Sequence, residues 1–263
     1  MTRPPNADTA SAADHASGAI LSPDAEAPPQ EGLQRDAFEQ AASQQEKPDL
    51  VGDEQFFGIR LVDTPDGRNK ASMLISKMYA WRGLEGDHGL TEDPNRVTLM
   101  AHRKGEPVGT LTLGLDSTRG LLADQLFQEE IDAYRARGAR VCEFIKLAFD
   151  MGGQSRPFLA ALIHLAMMYA RDIHQCDQLF IEVTPRHSGF YSQMMGFTQL
   201  GDAKVNPRVN VRGVLMRLDL AYMKEQVELY GGQGDQAEGV RSFYPLFFSP
   251  REEAGIINRL KTM

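Results

Sequence analysis

The sequence predicts an α/β (α+β) domain with a mixed, mostly antiparallel central sheet and helices on both faces. Three observations carry that expectation. Apolar residues at a spacing of two alternate along the chain with apolar residues at helical spacing. Two of the strand-like runs meet at Lys104-Gly105-Glu106, which is hairpin chemistry and makes them antiparallel. The most apolar stretch, residues 158–174, is apolar nearly all round, as suits a helix sandwiched in a core.

A first strand is expected at 56–63 (FFGIRLVD), then a helix over about 69–81 with Ala71, Leu74, Ile75 and Met78 on one face. A polar loop runs through 83–95. RVTLMAHR and PVGTLTLGL are the hairpin strands. Residues 121–137 read as a helix, with Phe127, Ile131 and Tyr134 at i, i+4 and i+7 and Gly138 as its stop. RVCEFIKLAFD, 140–150, is a strand, and Pro157 suits the first position of the core helix that follows.

Residues 178–184 form a strand that leaves through a polar exit, Pro185, Arg186 and His187. A short helix at 188–195, a glycine stop and a new strand complete that local parse. GVLMRLDL, 213–220, is the last strand counted into the sheet, and the order is β-α-β-β-α-β-α-β-α-β. Beyond it lie a helix near 221–230, a Gly-rich loop, an exposed-looking SFYPLFF and a final helix with Ser249 as cap, Pro250 first and Glu252 at the box position. The clustered aromatics read either as a flap over a pocket or as an arm packed on the core.

Of the 263 residues 42% are apolar, ample for a core. Residues 1–50 are expected to be a disordered, acidic, Ala/Pro-rich tail, because almost no aromatic side chains are available there to offset ordering entropy. The folded domain is then 56–223, with 224–263 as a C-terminal helical and aromatic arm. The first 55 residues hold eleven acidic and three basic residues, so the remainder balances at 25 of each. With no Lys/Arg-rich block, nucleic acid is not the expected partner. Cys142 and Cys176 show no metal-ligand spacing and no secretory signal precedes them, which favours a reduced, cytoplasmic setting. The 158–170 run is interrupted by His164 and too short for the roughly 20 residues of a membrane span. Peripheral membrane contact stays open.

This element order, with FYxxxGF at residues 190–197, resembles the GNAT acyltransferase superfamily. VGTLTLGLD (108–116) and RGARVCEFIKLAFD (137–150) resemble one branch, the long-chain N-acyl amino acid synthases, relatives of the acyl-homoserine-lactone synthases. The similarity spans about 56–223. Where the lactone synthases read E-x-S-R, this chain has Glu143-Phe144-Ile145-Lys146: the cation is kept, but the planar fork of an arginine is lost.

Glu143 shares strand register with Val141, Ile145 and Leu147, so alternation points its carboxylate to the side of three apolar residues. Such a carboxylate is either a base of raised pKa or half of a salt bridge to an arginine such as Arg82 or Arg140. The resemblance implies more. Oxyanion-stabilising backbone amides are expected near Leu147, Ala148 and Phe149, where the glutamate strand splays from the next strand. Tyr191 is implied as the acid for the thiol leaving group. Arg82, Asp87 and Lys146 are candidates to bind the acceptor.

No metal and no tightly bound cofactor are expected. The donor is a 4'-phosphopantetheine thioester, on an acyl carrier protein in preference to CoA. The CoA-binding Q/R-x-x-G-x-G/A pattern, placed on residues 154–159, meets Pro157 and Leu159 where glycine and a small residue belong. Arg156, Arg171, Arg186 and Arg208 are candidates to dock an acidic carrier. The expected reaction is transfer of a long-chain acyl group to the amine of an amino acid or similar small acceptor. Acetyl transfer from CoA, lactone synthesis and an inactive acyl-binding module are the alternatives.

Overall fold

The computed structural model describes residues 57–81, 83, 88–150, 156–207 and 210–262. The acidic tail, Arg82, Asp87 and Arg208 lie outside the described residues.

In chain order the elements are β1 (Phe57–Leu61), α1 (Pro65–Trp81), β2 (Arg96–Arg103), β3 (Glu106–Leu115), α2 (Asp124–Arg135), β4 (Val141–Phe149), α3 (Arg156–Met168), β5 (Gln178–Val183), α4 (Pro185–Met195), β6 (Thr198–Asn206), β7 (Val211–Asp219), α5 (Leu220–Tyr230) and α6 (Pro250–Leu260). The helix expected at 158–174 is α-helical only to Met168 and continues as a π turn over Tyr169–Ile173. The sheet has seven strands in the order β1-β2-β3-β4-β5-β7-β6. β4 and β5 run parallel and every other neighbouring pair antiparallel.

Local chemistry explains the boundaries. Arg103 pairs with Glu106 across Lys104-Gly105, whose φ values of 52° and 82° are both positive, the twist a two-residue hairpin requires. α1 starts at Pro65, earlier than periodicity suggests, because the Thr64 hydroxyl accepts the Gly67 amide at 3.1 Å. Pro185, Arg186 and His187 are the first turn of α4 and not a polar strand exit, since proline is favoured where a helix needs no amide. Ser249 and Glu252 form a reciprocal capping box on α6.

β6 is the new strand expected after the Gly196 stop, although the expected order of the sheet does not count it. Its sequence, TQLGDAKVN, lacks apolar alternation, it lies largely exposed at the sheet edge, and its register breaks between Leu200 and Lys204. The aromatic stretch near the C-terminus also differs from its exposed look: Phe243, Tyr244 and Phe247 are fully buried in the main core. Tyr244 donates its hydroxyl to the Met195 carbonyl at 2.7 Å and the Phe243 amide donates to Met194 at 2.9 Å, which fastens the segment to the end of α4.

Two layers cover the sheet. α3, α4, α5 and the 243–247 aromatics pack on one face, against Leu111, Leu113, Phe144, Leu147, Ile181 and other apolar side chains. α1 and α2 pack on the other, in two smaller clusters around Ile75 and Tyr79 and around Phe127, Ile131 and Phe180.

Candidate active site

β4 and β5 pair only from Val141 to Glu143 on one strand and from Gln178 to Phe180 on the other. Beyond Glu143 the strands part, so a wedge opens in the sheet next to that carboxylate. β4 also bulges. Lys146 has φ 53° and the register with β3 slips between Thr110 and Thr112. The bulge corrects the expected register: Leu147 packs in the α3 layer, together with Cys142, Phe144 and Phe149, and therefore stands on the opposite face from Glu143. The Asp150 amide donates to the Val108 carbonyl of β3 at 2.8 Å. Amide directions alternate along a strand, so the Ala148 N–H also turns toward β3, and those of Leu147 and Phe149 turn into the wedge.

Glu143 is buried at 4% exposure, on the α1/α2 face. Its oxygens accept the backbone amides of Leu122 at 2.6 Å and Ala123 at 3.0 Å, just before α2. Burial raises its pKa from the ordinary carboxylate range to about 7, against the opposing pull of those two amides and the charge of Arg96. Gly114, paired with Glu143 on β3, makes room: a Cβ there would come within 2.9 Å of the glutamate Cγ and 3.0 Å of Oε1. The salt bridge considered with Arg140 is not made, because that guanidinium donates to Gln175 at 2.7 Å.

A polar cleft of about 160 Å³ lies against the carboxylate, lined among others by Asp93, Arg96, Ser117, Arg119 and Gln125. It adjoins a second cleft of about 280 Å³, and the two share Thr91, Asp93 and Arg96. Along the same face, Thr98 and Thr112 share a hydrogen bond of 2.8 Å, and Thr110 donates to the Lys146 carbonyl at 3.2 Å. Lys146 is buried and its ammonium donates to the Gly89 carbonyl at 2.5 Å, tying the loop before β2 to the bulged strand. A buried cation at a strained backbone position is held there by its surroundings.

Tyr191 lies on the other side of the sheet, buried in the α3/α4 layer with its ring edge-on to Phe190 and Phe197. Glu143 and Tyr191 therefore lie on opposite faces of the sheet. His187 is buried, with Nδ1 2.8 Å from the Thr184 hydroxyl. His164 is a core histidine: Nδ1 accepts the Phe248 amide at 3.1 Å and the ring stacks on Phe247.

The carrier candidates separate. Arg156 and Arg186 open α3 and α4 and are exposed at the edge where β4 and β5 end. Arg103, in the hairpin at the same edge, stands 6.0 Å from the ring of Phe158. Arg171 does not belong there. It lies fifteen residues along the helix from Arg156, roughly 22 Å toward the far edge of the sheet, and is bound to Asp172 and to Glu253 of α6. Among the described residues no group of three or more His, Cys, Asp or Glu is arranged to hold a metal ion. No described helix is long and apolar enough to cross a membrane.

Sequence reasoning missed Gly114, Arg96, Arg119 and the amides of Leu122 and Ala123. The amides leave no trace in side-chain identity. Gly114 had a signal, as the glycine in GTLTLGL on the same side of β3 as Thr110 and Thr112.

The family model for the N-acyl amino acid synthase FeeM matches residues 70–219. No curated protein sequence matches. The solved structure of FeeM, an N-acyl amino acid synthase from uncultured soil microbes, aligns with a TM-score of 0.58 and 28% identity over 64% of this chain and 93% of that one. The AHL synthase LasI aligns with a TM-score of 0.49 and 12% identity over 63% and 91%. An acyl-CoA N-acyltransferase from Pseudomonas aeruginosa gives 0.45 and 13% over 61% and 97%. The family match takes in more than half of the chain, including both splayed strands and the residues on either side of them, and the chain accordingly belongs to the FeeM family of N-acyl amino acid synthases, acyltransferases on a GNAT-like fold.

Proposed function

We propose that this acyltransferase moves a long-chain fatty acyl group from an acyl carrier protein thioester to the amine of an amino acid. The observation that carries the reading is Glu143: a buried carboxylate of pKa about 7, facing a polar cleft at the point where the wedge opens. A base poised near neutral pH is suited to take a proton from an ammonium. The freed amine attacks the thioester carbonyl held in the wedge, forming the C–N bond. The developing oxyanion is met by the amides of Leu147 and Phe149. Collapse breaks the C–S bond, and Tyr191 gives the leaving thiolate its proton. The products are an amide and a thiol: Glu143 passes the ammonium's first proton to solvent, and the second, shed by the nitrogen once the C–N bond has formed, restores Tyr191 by way of solvent.

Preference for long chains is supported by the apolar layer on the α3 side, where Phe144, Leu147, Ile181, Val183 and Met195 pack. Each buried methylene contributes about 0.8 kcal/mol. Arg156, Arg186 and the hairpin's Arg103 and Lys104 are exposed cations at the wedge edge, suited to an acidic carrier. Pro157 lies in the first turn of α3 and offers no amide to a pyrophosphate.

Two measurements test the reading. Lipid extracts from a host expressing the protein are expected to contain N-acyl amino acids by mass spectrometry; lactones or no new lipid would count against it. Matched hexadecanoyl-carrier and hexadecanoyl-CoA donors are expected to differ in favour of the carrier, by a margin that shrinks with salt. A higher specificity constant with CoA, insensitive to salt, would replace the carrier.

A further inference from the structure

The segment between β3 and α2 is braced beyond what a connecting turn needs. Arg135 of α2 grips both of its ends: it donates to Asp116 through Nε and a terminal nitrogen, each at 2.8 Å, and to Asp124 at 2.8 and 2.7 Å. The Arg119 amide donates to the Ser117 hydroxyl at 3.2 Å, the Gly120 amide to the Ser117 carbonyl at 2.9 Å, and the Leu121 amide to Asp124 at 2.6 Å. Gly120 adopts φ 71°, and a Cβ there would meet the Asp124 carboxylate at 2.4 Å. Glu143 itself takes the next two amides. Arg119, exposed on this rigid turn, is among the residues that line the cleft and is the turn's one cation there.

The cleft's charges divide by their engagement. Asp93 and Arg96 face each other at 3.5 Å, and Glu143 is held by amides but keeps lone pairs free toward the cleft. Arg119 has no hydrogen-bond or ion-pair partner for its guanidinium among the described residues. One cleft thus holds a carboxylate able to receive an ammonium and, on a braced turn, a planar cation that matches a carboxylate in two hydrogen bonds.

We infer that Arg119 holds the carboxylate of the acceptor, so that the acceptor enters as a zwitterionic amino acid with its ammonium on Glu143 and its carboxylate on Arg119. The inference rests on the amino-acylating reading above and supplies its specificity. Bracing the turn lowers the ordering cost of that contact, because the arginine's backbone is fixed before the ligand arrives. Arg119 touches no transferred atom: its role is to select and orient the acceptor.

The experiment compares acylation of an amino acid and of its carboxamide, which keeps the amine and loses the negative charge. The probe is the best-acylated of the twenty common amino acids, with a hexadecanoyl thioester as donor, in the wild type, Arg119→Ala and Arg119→Lys. The quantity read is the ratio of kcat/KM for acid over carboxamide. That ratio cancels the fraction of folded enzyme, and its change between proteins cancels the different basicity of the two amines. The expected result is a fall of at least tenfold in Arg119→Ala and partial recovery in Arg119→Lys. An unchanged ratio in Arg119→Ala overturns the inference while leaving acyl transfer standing. Failure of the wild type to acylate either acceptor removes the functional reading and the inference with it.

Discussion

The two faces of the central sheet obey different rules. Toward α3 the strands offer Leu111, Leu113, Phe144, Leu147 and Ile181, a continuous apolar layer. Toward α1 and α2 the middle strands offer Thr98, Thr110, Thr112, Glu143 and Lys146, all buried and all polar. A single strand, β3, holds both rules in its Thr-Leu-Thr-Leu alternation. Burying polar groups is tolerable only where each finds a partner, and the threonines, the glutamate and the lysine each do. The lesson is a division of labour: one face carries the larger apolar core, and the other combines two smaller apolar clusters with buried polar groups that include Glu143.

The largest effect expected on the polar face is from Glu143→Gln, which keeps the shape and removes the base. Turnover should fall on the order of 10²- to 10⁴-fold, about 3 to 5 kcal/mol of barrier. Unchanged turnover would reduce Glu143 to a structural cap for Leu122 and Ala123. Its pH behaviour sharpens the test. The folded pKa of about 7 lies above the ordinary 4.5, so Glu143 stabilises the fold most when protonated, and that contribution is lost as pH rises through 7. The melting-temperature difference between the wild type and Glu143→Gln should therefore move against the wild type between pH 4.5 and 7. Turnover of the wild type should climb as pH rises toward and past 7. A difference in melting temperature that is flat with pH would contradict the raised pKa.

On the apolar face the expected loss is of stability. Leu162→Ala removes a fully buried side chain from α3 and should cost about 3 kcal/mol in denaturant unfolding. Turnover per folded molecule should stay within a few-fold of the wild type; a collapse in turnover at full folding would erase the division. The smallest effect belongs to the threonine pair. Thr112→Val alone leaves the Thr98 hydroxyl buried without its partner and should cost about 1 to 2 kcal/mol, whereas the double change Thr98→Val with Thr112→Val should recover most of that loss. Additive losses in the cycle would mean that the two hydroxyls do not depend on each other.

Much of the apolar face was legible in the sequence, and much less of the polar one. Period and turn chemistry place β2 at its observed bounds and the hairpin at Lys104-Gly105, and Ser249 with Glu252 announces the start of α6. Glu143 stands out as a charge in an apolar run. The bulge does not, because a lysine at positive φ carries no local signal of the kind a glycine gives. It turns Leu147 away from Glu143. The amides that hold the carboxylate come from residues 20 and 21 positions away, and their role is set by tertiary packing alone. Arg171 was legible as a cation but not as the partner of Glu253, 82 residues onward.

The C-terminal aromatics give the stable face an order of completion. Phe248 meets His164 across 84 residues of chain, and Tyr244 meets Met195 across 49. During synthesis at roughly 5–20 residues per second, α3 and α4 therefore emerge several seconds before the side chains that cover them. Until residues 243–260 leave the ribosome, the apolar layer that stabilises the finished enzyme lacks its cover, and a ribosome stalled in this interval would display a complete β4 on a domain whose core is still unclosed.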